Sequence, residues 1–230
     1  MTPAWKEACA AHCSELGPVG ADTLYEAVEQ ARQWFWSDPE RHRRGRLDLD
    51  AAAREVVTLA VGSLGIANSE APERIAARYR EVRRRGYEPL PGAVDTLQWF
   101  RQSGCRLALV SNGGAATQWA KIHRFELREL FDVILIEEEL GYGKPDPRIY
   151  QRALEELETP ANQAWMIGDH LEFDVAQPQR MGLVGIWIDA GGTGLPAASL
   201  VKPDRILRRL ADLRGELDQP GNILVTDDET

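Results

Sequence analysis

Four short apolar runs, each closing on polar or acidic residues, constrain this chain more than any other feature. They are "CRLALVSNGG", "FDVILIEEE", "AWMIGD" and "LVGIWID". Each has the length of a strand and is continuously apolar rather than alternating, as in strands buried on both faces. Helical patterns separate them. One is "DPRIYQRALEELE", with Asp146 as its cap, and another runs from Asp174 to Met181. Strands alternating with helices predict an α/β fold, a parallel sheet with helices on both faces in three layers. Ligands of such sheets sit beyond the carboxyl ends of the strands, so the polar residues closing the runs converge on one rim. A last amphipathic helix is predicted over residues 203 to 217. The tail "NILVTDDET" follows Pro220-Gly221.

Residues 1 to 87 read differently, as helices with no strand among them. Thr2 and Pro3 suit a helix start, and Gly17-Pro18 a stop. In the next helix, from about Asp22 to Trp36, Leu24, Val28, Ala31 and Phe35 fall on one face. Asp38-Pro39 breaks it. Further helices are predicted from Ala51 to Leu64 and from Pro72 to Arg85, the latter ended by Gly86. Between two helices, "SDPERHRRGRLDLD" gathers Arg41, His42, Arg43, Arg44 and Arg46. It reads as a solvated turn, with contact to an anionic ligand as the sharper alternative. "QWFW" (Gln33 to Trp36) reads as core rather than as a pocket wall, and "RYREVRRRG" as an exposed helix face. The predicted organisation is a helical subdomain at 1-87, a sheet core at 88-218 and a tail at 219-230, either disordered or replacing a strand.

Three groups gather at the rim. "VSNGG" brings the Ser111 hydroxyl and the amides of Asn112 and Gly113 to the start of a helix, where hydroxyl and amides together cradle an anion. "GYGKPDP" presents Lys144 between Gly143 and Pro145, a cation for a phosphoryl oxygen or a carboxylate. "GDHLEFD" offers Asp169 and Asp174, hard oxygen ligands of the kind magnesium takes. Each feature alone is an ordinary turn residue, solvated lysine or helix cap. Together, each at a strand end, they make cradle, cation and metal carboxylate, the parts that phosphoryl transfer needs.

The net charge of -9 argues against a general nucleic-acid binder. No apolar run reaches the length of a membrane span, and Met1-Thr2-Pro3 leads into a helix-like segment without a signal peptide. Three cysteines, Cys9, Cys13 and Cys105, fit reduced thiols in a cytoplasmic protein. Cys9 and Cys13 read as core packing, because no second pair of zinc ligands follows them.

With these residues the sequence resembles the haloacid dehalogenase-like superfamily of hydrolases, in the branch with a helical cap near the N-terminus. The likeness covers about residues 1 to 212. It rests on Ser111-Asn112, Lys144-Pro145 and Gly168-Asp169 with Asp174, set in "LPGAVDTLQWFRQSGCRLALVSNG" and "GDHLEFDVAQPQRMGLVGIWID". Gln177-Pro178 depart from a Gly-Ala common in the family. The resemblance implies a Rossmann-like core with a helical cap that chooses the substrate. It implies magnesium-dependent hydrolysis of a small phosphate monoester through an aspartyl-phosphate. Ser111, Asn112 and Gly113 would bind the phosphoryl group, Lys144 would neutralise it, and Asp169 would hold the metal. Asp174 would assist, orienting a metal-bound water or Lys144. Gly168-Asp169 favours a magnesium phosphatase over a metal-free dehalogenase. The implied partner is a small phosphorylated metabolite, not nucleic acid or a membrane; oligomeric state stays open.

The resemblance also implies an aspartate nucleophile in a motif of the form D-x-D-x-T after a central strand that precedes the cap. Here the cap helix starts at once, and "LDLD" (Asp48 to Asp50) lacks an apolar strand before it. A vacant centre would be costly, since each unpaired buried backbone group costs about 1–3 kcal/mol against a typical total stability of about 5–15 kcal/mol. The leading expectation is that the strand belongs to a segment upstream of Met1. A second is that "ILVTDDET" returns to the sheet as in a circular permutation, with Thr226, Asp228 and Thr230 at the motif's places. The third is an inactive relative that binds a phosphorylated ligand or a protein.

Overall fold

The structure, a computed structural model, describes residues 3–67, 70–215 and 222–225. The chain divides into two compact units, Met1–Glu88 and Pro89–Thr230.

The first unit is helical: α1 (Pro3–His12), α2 (Ala21–Ser37), α3 (Pro39–Leu47), α4 (Leu49–Ser63) and α5 (Ala71–Arg85). α1 packs on α2 and α5, and α4 packs on α2 and α5. Leu24, Val28 and Phe35 meet Val56, Val57, Ala60 and Ile75 in one core, with Ala31 partly buried beside them. Cys9 belongs to this core, where burial pushes its thiol up to about 12, so it packs as a small apolar group.

The arginine-rich stretch is a helix, not a turn. Asp38 caps α3 by accepting the Arg41 amide at 2.9 Å, and Pro39 takes the first turn. Asp48 ends α3 and caps α4 through the Ala51 amide at 2.8 Å. Buried Gly45 lies against Phe35, whose ring carbon would stand only 2.5 Å from an added Cβ. Caps and one close approach hold this helix, and neither shows as apolar periodicity. Its arginines are largely matched: Arg41 stacks on Trp34 at 3.7 Å, while Arg43 pairs with Glu40 and Arg44 with Glu55. Within "QWFW", Phe35 is core and Trp34 is half exposed. On α5, Tyr79 is not simply exposed but stacks on Trp5 at 3.6 Å.

The second unit runs α6 (Ala93–Gln102), β1 (Leu107–Ser111), α7 (Ala115–Arg124), β2 (Val133–Ile136), α8 (Glu137–Leu140), α9 (Pro147–Glu156) and β3 (Ala164–Gly168). A π-helical turn (Leu171–Ala176) leads into α10 (Gln177–Arg180), then β4 (Val184–Ile188), β5 (Arg205–Leu207), a 3-10 segment (Leu210–Gly215) and β6 (Asn222–Val225). The six strands form one sheet in the order β2-β1-β6-β3-β4-β5, with every pairing parallel. The α/β expectation holds, and Asp146 caps α9 as predicted.

One expectation fails here, and one of the alternatives for the central strand is met. The amphipathic helix expected over 203 to 217 does not form among its described residues, which instead hold β5 and the 3-10 segment Leu210–Gly215. β5 forms the sheet edge, anchored by Asp204, whose carboxylate accepts the Gly185 amide at 2.8 Å. Its short alternation, Ile206 half exposed and Leu207 buried, has a strand's period of two. The central slot is filled by β6, as in the second of the three readings of the missing strand. Leu224 pairs with Ala108 of β1 and Met166 of β3, and Val225 with Leu109 and Ile167. Ile223 and Leu224 are fully buried on opposite faces of the sheet, so "ILV" is the apolar run a central parallel strand needs.

Leu224→Ala should cost about 2–5 kcal/mol, the usual toll of emptying a buried leucine site, read as a lowered urea midpoint. An unchanged midpoint would mean that β6 does not carry the centre of the sheet.

Candidate functional site

β1, β2 and β3 are parallel, so their carboxyl ends and the turns that follow lie along one edge. β1 closes on Ser111, which is fully buried. Its hydroxyl makes only a long 3.3 Å contact to the Asn112 carbonyl, which leaves it able to turn to another acceptor.

The Asn112 side chain has a task of its own. Its side-chain amide donates to the Lys144 carbonyl at 2.8 Å, and its side-chain oxygen accepts the Lys144 amide at 2.7 Å. The two bonds fasten the lysine turn to the end of β1. Gly143 permits this approach, because an added Cβ would stand 2.5 Å from Asn112 Oδ1 and 2.7 Å from Glu137. The Asn112 carbonyl in turn accepts from Gln118 Nε2 at 2.8 Å.

The Gly113 amide, expected in the anion cradle, is already engaged. It donates at 3.0 Å to Glu137 Oε2, and Glu137 is buried. The Ala115 amide donates to Glu138 at 2.6 Å. Two carboxylates of α8 therefore answer the amides around the start of α7, which carry partial positive charge. Neither glutamate was singled out in the sequence. Their signal was an acidic run directly after a buried strand, read instead as strand continuation.

Lys144 and Asp174 are both fully buried, with Nζ 3.0 Å from Oδ1. Asp174 Oδ2 accepts the His170 amide at 2.9 Å. Each carboxylate oxygen thus accepts a hydrogen bond, and Asp174 is the ion-pair partner of Lys144. The π-helical turn sets this up: His170 caps it through the Phe173 amide and stacks on Phe173 at 3.8 Å. Asp169 stands just past β3 with its carboxylate exposed, while its carbonyl accepts from Trp187 Nε1 at 2.7 Å. Among the described residues no group of three or more His, Cys, Asp or Glu could hold a metal ion. One exposed hard carboxylate, Asp169, has the donor chemistry magnesium takes. Thr226, Asp227, Asp228 and Thr230 lie outside the described residues.

A buried lysine–aspartate pair and a serine at strand ends, in this chain order, carry the resemblance drawn from the sequence. A family model described as haloacid dehalogenase-like hydrolase matches residues 4–182. The chain belongs to this family. Glyceraldehyde 3-phosphate phosphatase of Pyrococcus furiosus is 29% identical over 177 residues, 76% of this chain and 67% of that protein. Phosphoserine phosphatase of Thermus thermophilus is 34% identical over 156 residues, 68% of this chain and 57% of that protein. The chain spans about half the length of several curated relatives that it matches. Among solved structures, the putative hydrolase YfnB of Bacillus subtilis, bound to magnesium, superposes with a TM-score of 0.68 at 20% identity, covering 94% of this chain and 92% of that one. The 2-haloacid dehalogenase of Pseudomonas syringae gives 0.58 at 27% identity, covering 93% and 87%.

Removing one member of a buried ion pair typically costs about 3–5 kcal/mol. Asp174→Leu should therefore lower stability by about 3 kcal/mol, and Lys144→Met in the same chain should recover most of it. Additive losses in the double mutant would mean that the pair is not coupled.

Proposed function

We propose that this protein is a magnesium-dependent phosphohydrolase acting on a small phosphate monoester, with the helical unit as the cap that selects the substrate. The observation that carries the reading is the combination at one sheet edge. Lys144 is held by Asn112 and Asp174, Ser111 is buried at the end of β1, and the Asp169 carboxylate is exposed at the end of β3. Phosphatases among the relatives support the direction.

In this reading each group has a separate task. Ser111 donates its hydroxyl to a phosphoryl oxygen. Lys144 offsets the charge of that phosphoryl group, and Asp174 keeps the ammonium charged and aimed. Asn112 acts as a positioning residue, since its side-chain amide and oxygen both fix the Lys144 main chain. Asp169 would hold a magnesium ion, which supplies further charge neutralisation on the phosphoryl oxygens. Three cysteines without a disulfide among them support a reducing, cytoplasmic setting, and no described helix is long and apolar enough to cross a membrane.

The test is phosphate release by the full chain from a panel of small phosphomonoesters, with and without magnesium. Release that requires magnesium and falls at least about 100-fold in Asp169→Asn is the expected result, as for loss of a group acting on the transition state. Halide release from a 2-haloacid, insensitive to chelator, would point to dehalogenation instead.

A further inference from the structure

One side chain that the phosphohydrolase reading leaves without a task lies against the end of β1. On α7 the buried residues are Gln118 and Ile122, one turn apart on the same face. Ile122 is the apolar residue that such a face calls for. Gln118 is an amide, and it is only 5% exposed. Its Nε2 donates to the Asn112 carbonyl at 2.8 Å. That acceptor fixes which end of the amide meets it, because only the nitrogen can donate. Oε1 is then left buried with no hydrogen-bond partner among the described residues. An unmet acceptor in a core is costly, and an apolar side chain of similar size would avoid that cost. An amide kept under these conditions points to a use for its donor.

The acceptor it takes has a second suitor. The Ser111 hydroxyl lies 3.3 Å from the same carbonyl, longer than a hydroxyl donor usually stands. A serine has one proton to give. Given to the Asn112 carbonyl, that proton is lost to a phosphoryl oxygen. A buried carbonyl without another donor draws a neighbouring hydroxyl onto itself, since leaving it unmet costs more. Gln118 answers the carbonyl with the shorter of the two bonds.

We infer that Gln118 is a positioning residue for phosphoryl binding: its amide occupies the Asn112 carbonyl and so leaves the Ser111 proton for the substrate. The role rests on the phosphohydrolase reading, which gives Ser111 its acceptor, but one arm of its test does not. Crystal structures of the full chain are compared for wild type and Gln118→Met, with Gln118→Leu in its place if the methionine variant does not fold. Calorimetry with magnesium present measures binding of inorganic phosphate to wild type, Gln118→Met, Ser111→Ala and the double variant. In Gln118→Met the distance from Ser111 Oγ to the Asn112 carbonyl should shorten to about 2.8 Å. Phosphate affinity should fall about tenfold in each single variant, the scale of one hydrogen bond to a charged group. Adding Gln118→Met to Ser111→Ala should change it by no more than about twofold, as for two residues acting through one contact. A contact that keeps its length in the variant, or an affinity like that of wild type, would overturn the inference. So would losses that add in the double variant, which is what a merely structural role gives. If neither apolar variant folds, phosphate-bound wild type decides. Ser111 Oγ beyond about 3.5 Å from the carbonyl, with Gln118 still bonded to it, supports the inference; Oγ still on the carbonyl overturns it. A wild type that binds no phosphate, in a protein whose variant hydroxyl does move onto the carbonyl, would uphold the positioning role and defeat the phosphohydrolase reading.

Discussion

The pairing of β6 between β1 and β3 is the constraint on which the rest of the sheet unit depends. In a parallel sheet covered on both faces, a central strand satisfies backbone groups on two neighbours at once and fills the core above and below. Ile223 and Leu224 do this on opposite faces. Without β6, the strands ending in Ser111 and Gly168 would face a gap, and the edge that holds Lys144 and Asp169 would lose its spacing. Stability and site geometry are thus set by a single four-residue strand.

The second layer of order is polar and buried. Lys144 is fixed at both ends, its main chain by Asn112 and its ammonium by Asp174. Burying such a pair gains little net stability over an apolar pair of the same volume. What the arrangement provides is a cation in a fixed place with its desolvation already met by folding. Glu137 and Glu138 do the same for the amides around the start of α7. The anion cradle read from "VSNGG" is therefore narrower than expected, since the Gly113 amide is taken by Glu137.

Much of this was legible in the sequence because burial writes itself as apolar runs. Four of the six strands were visible that way, as were α2, α9 and the capping role of Asp146. The elements that escaped share a physical reason: they are held by contacts distant in sequence or by caps. α3 depends on Asp38, Asp48 and the fit of Gly45 on Phe35. β5 is three residues long and is tied down by Asp204. β6 was visible as "ILV", but chain order suggested that the central strand should come first, and only the pairing with both neighbours reveals it as the centre. Within the site, Ser111, Lys144 and Asp169 were found from residue type at strand ends. The side-chain duties of Asn112 and Glu137 were not, since they follow from which acceptor each donor meets, whereas Asp174 beside Lys144 was among the duties that the resemblance implied.

The most direct test of the central claim is hydrogen exchange at the Ile223, Leu224 and Val225 amides. A strand paired on both sides and buried on both faces opens only with global or near-global unfolding. The account predicts protection at these amides equal to that of Leu109 in β1 and Met166 in β3. Exchange at the rate of an exposed tail, with β1 and β3 still protected, would show that the sheet holds without β6 and would contradict the account.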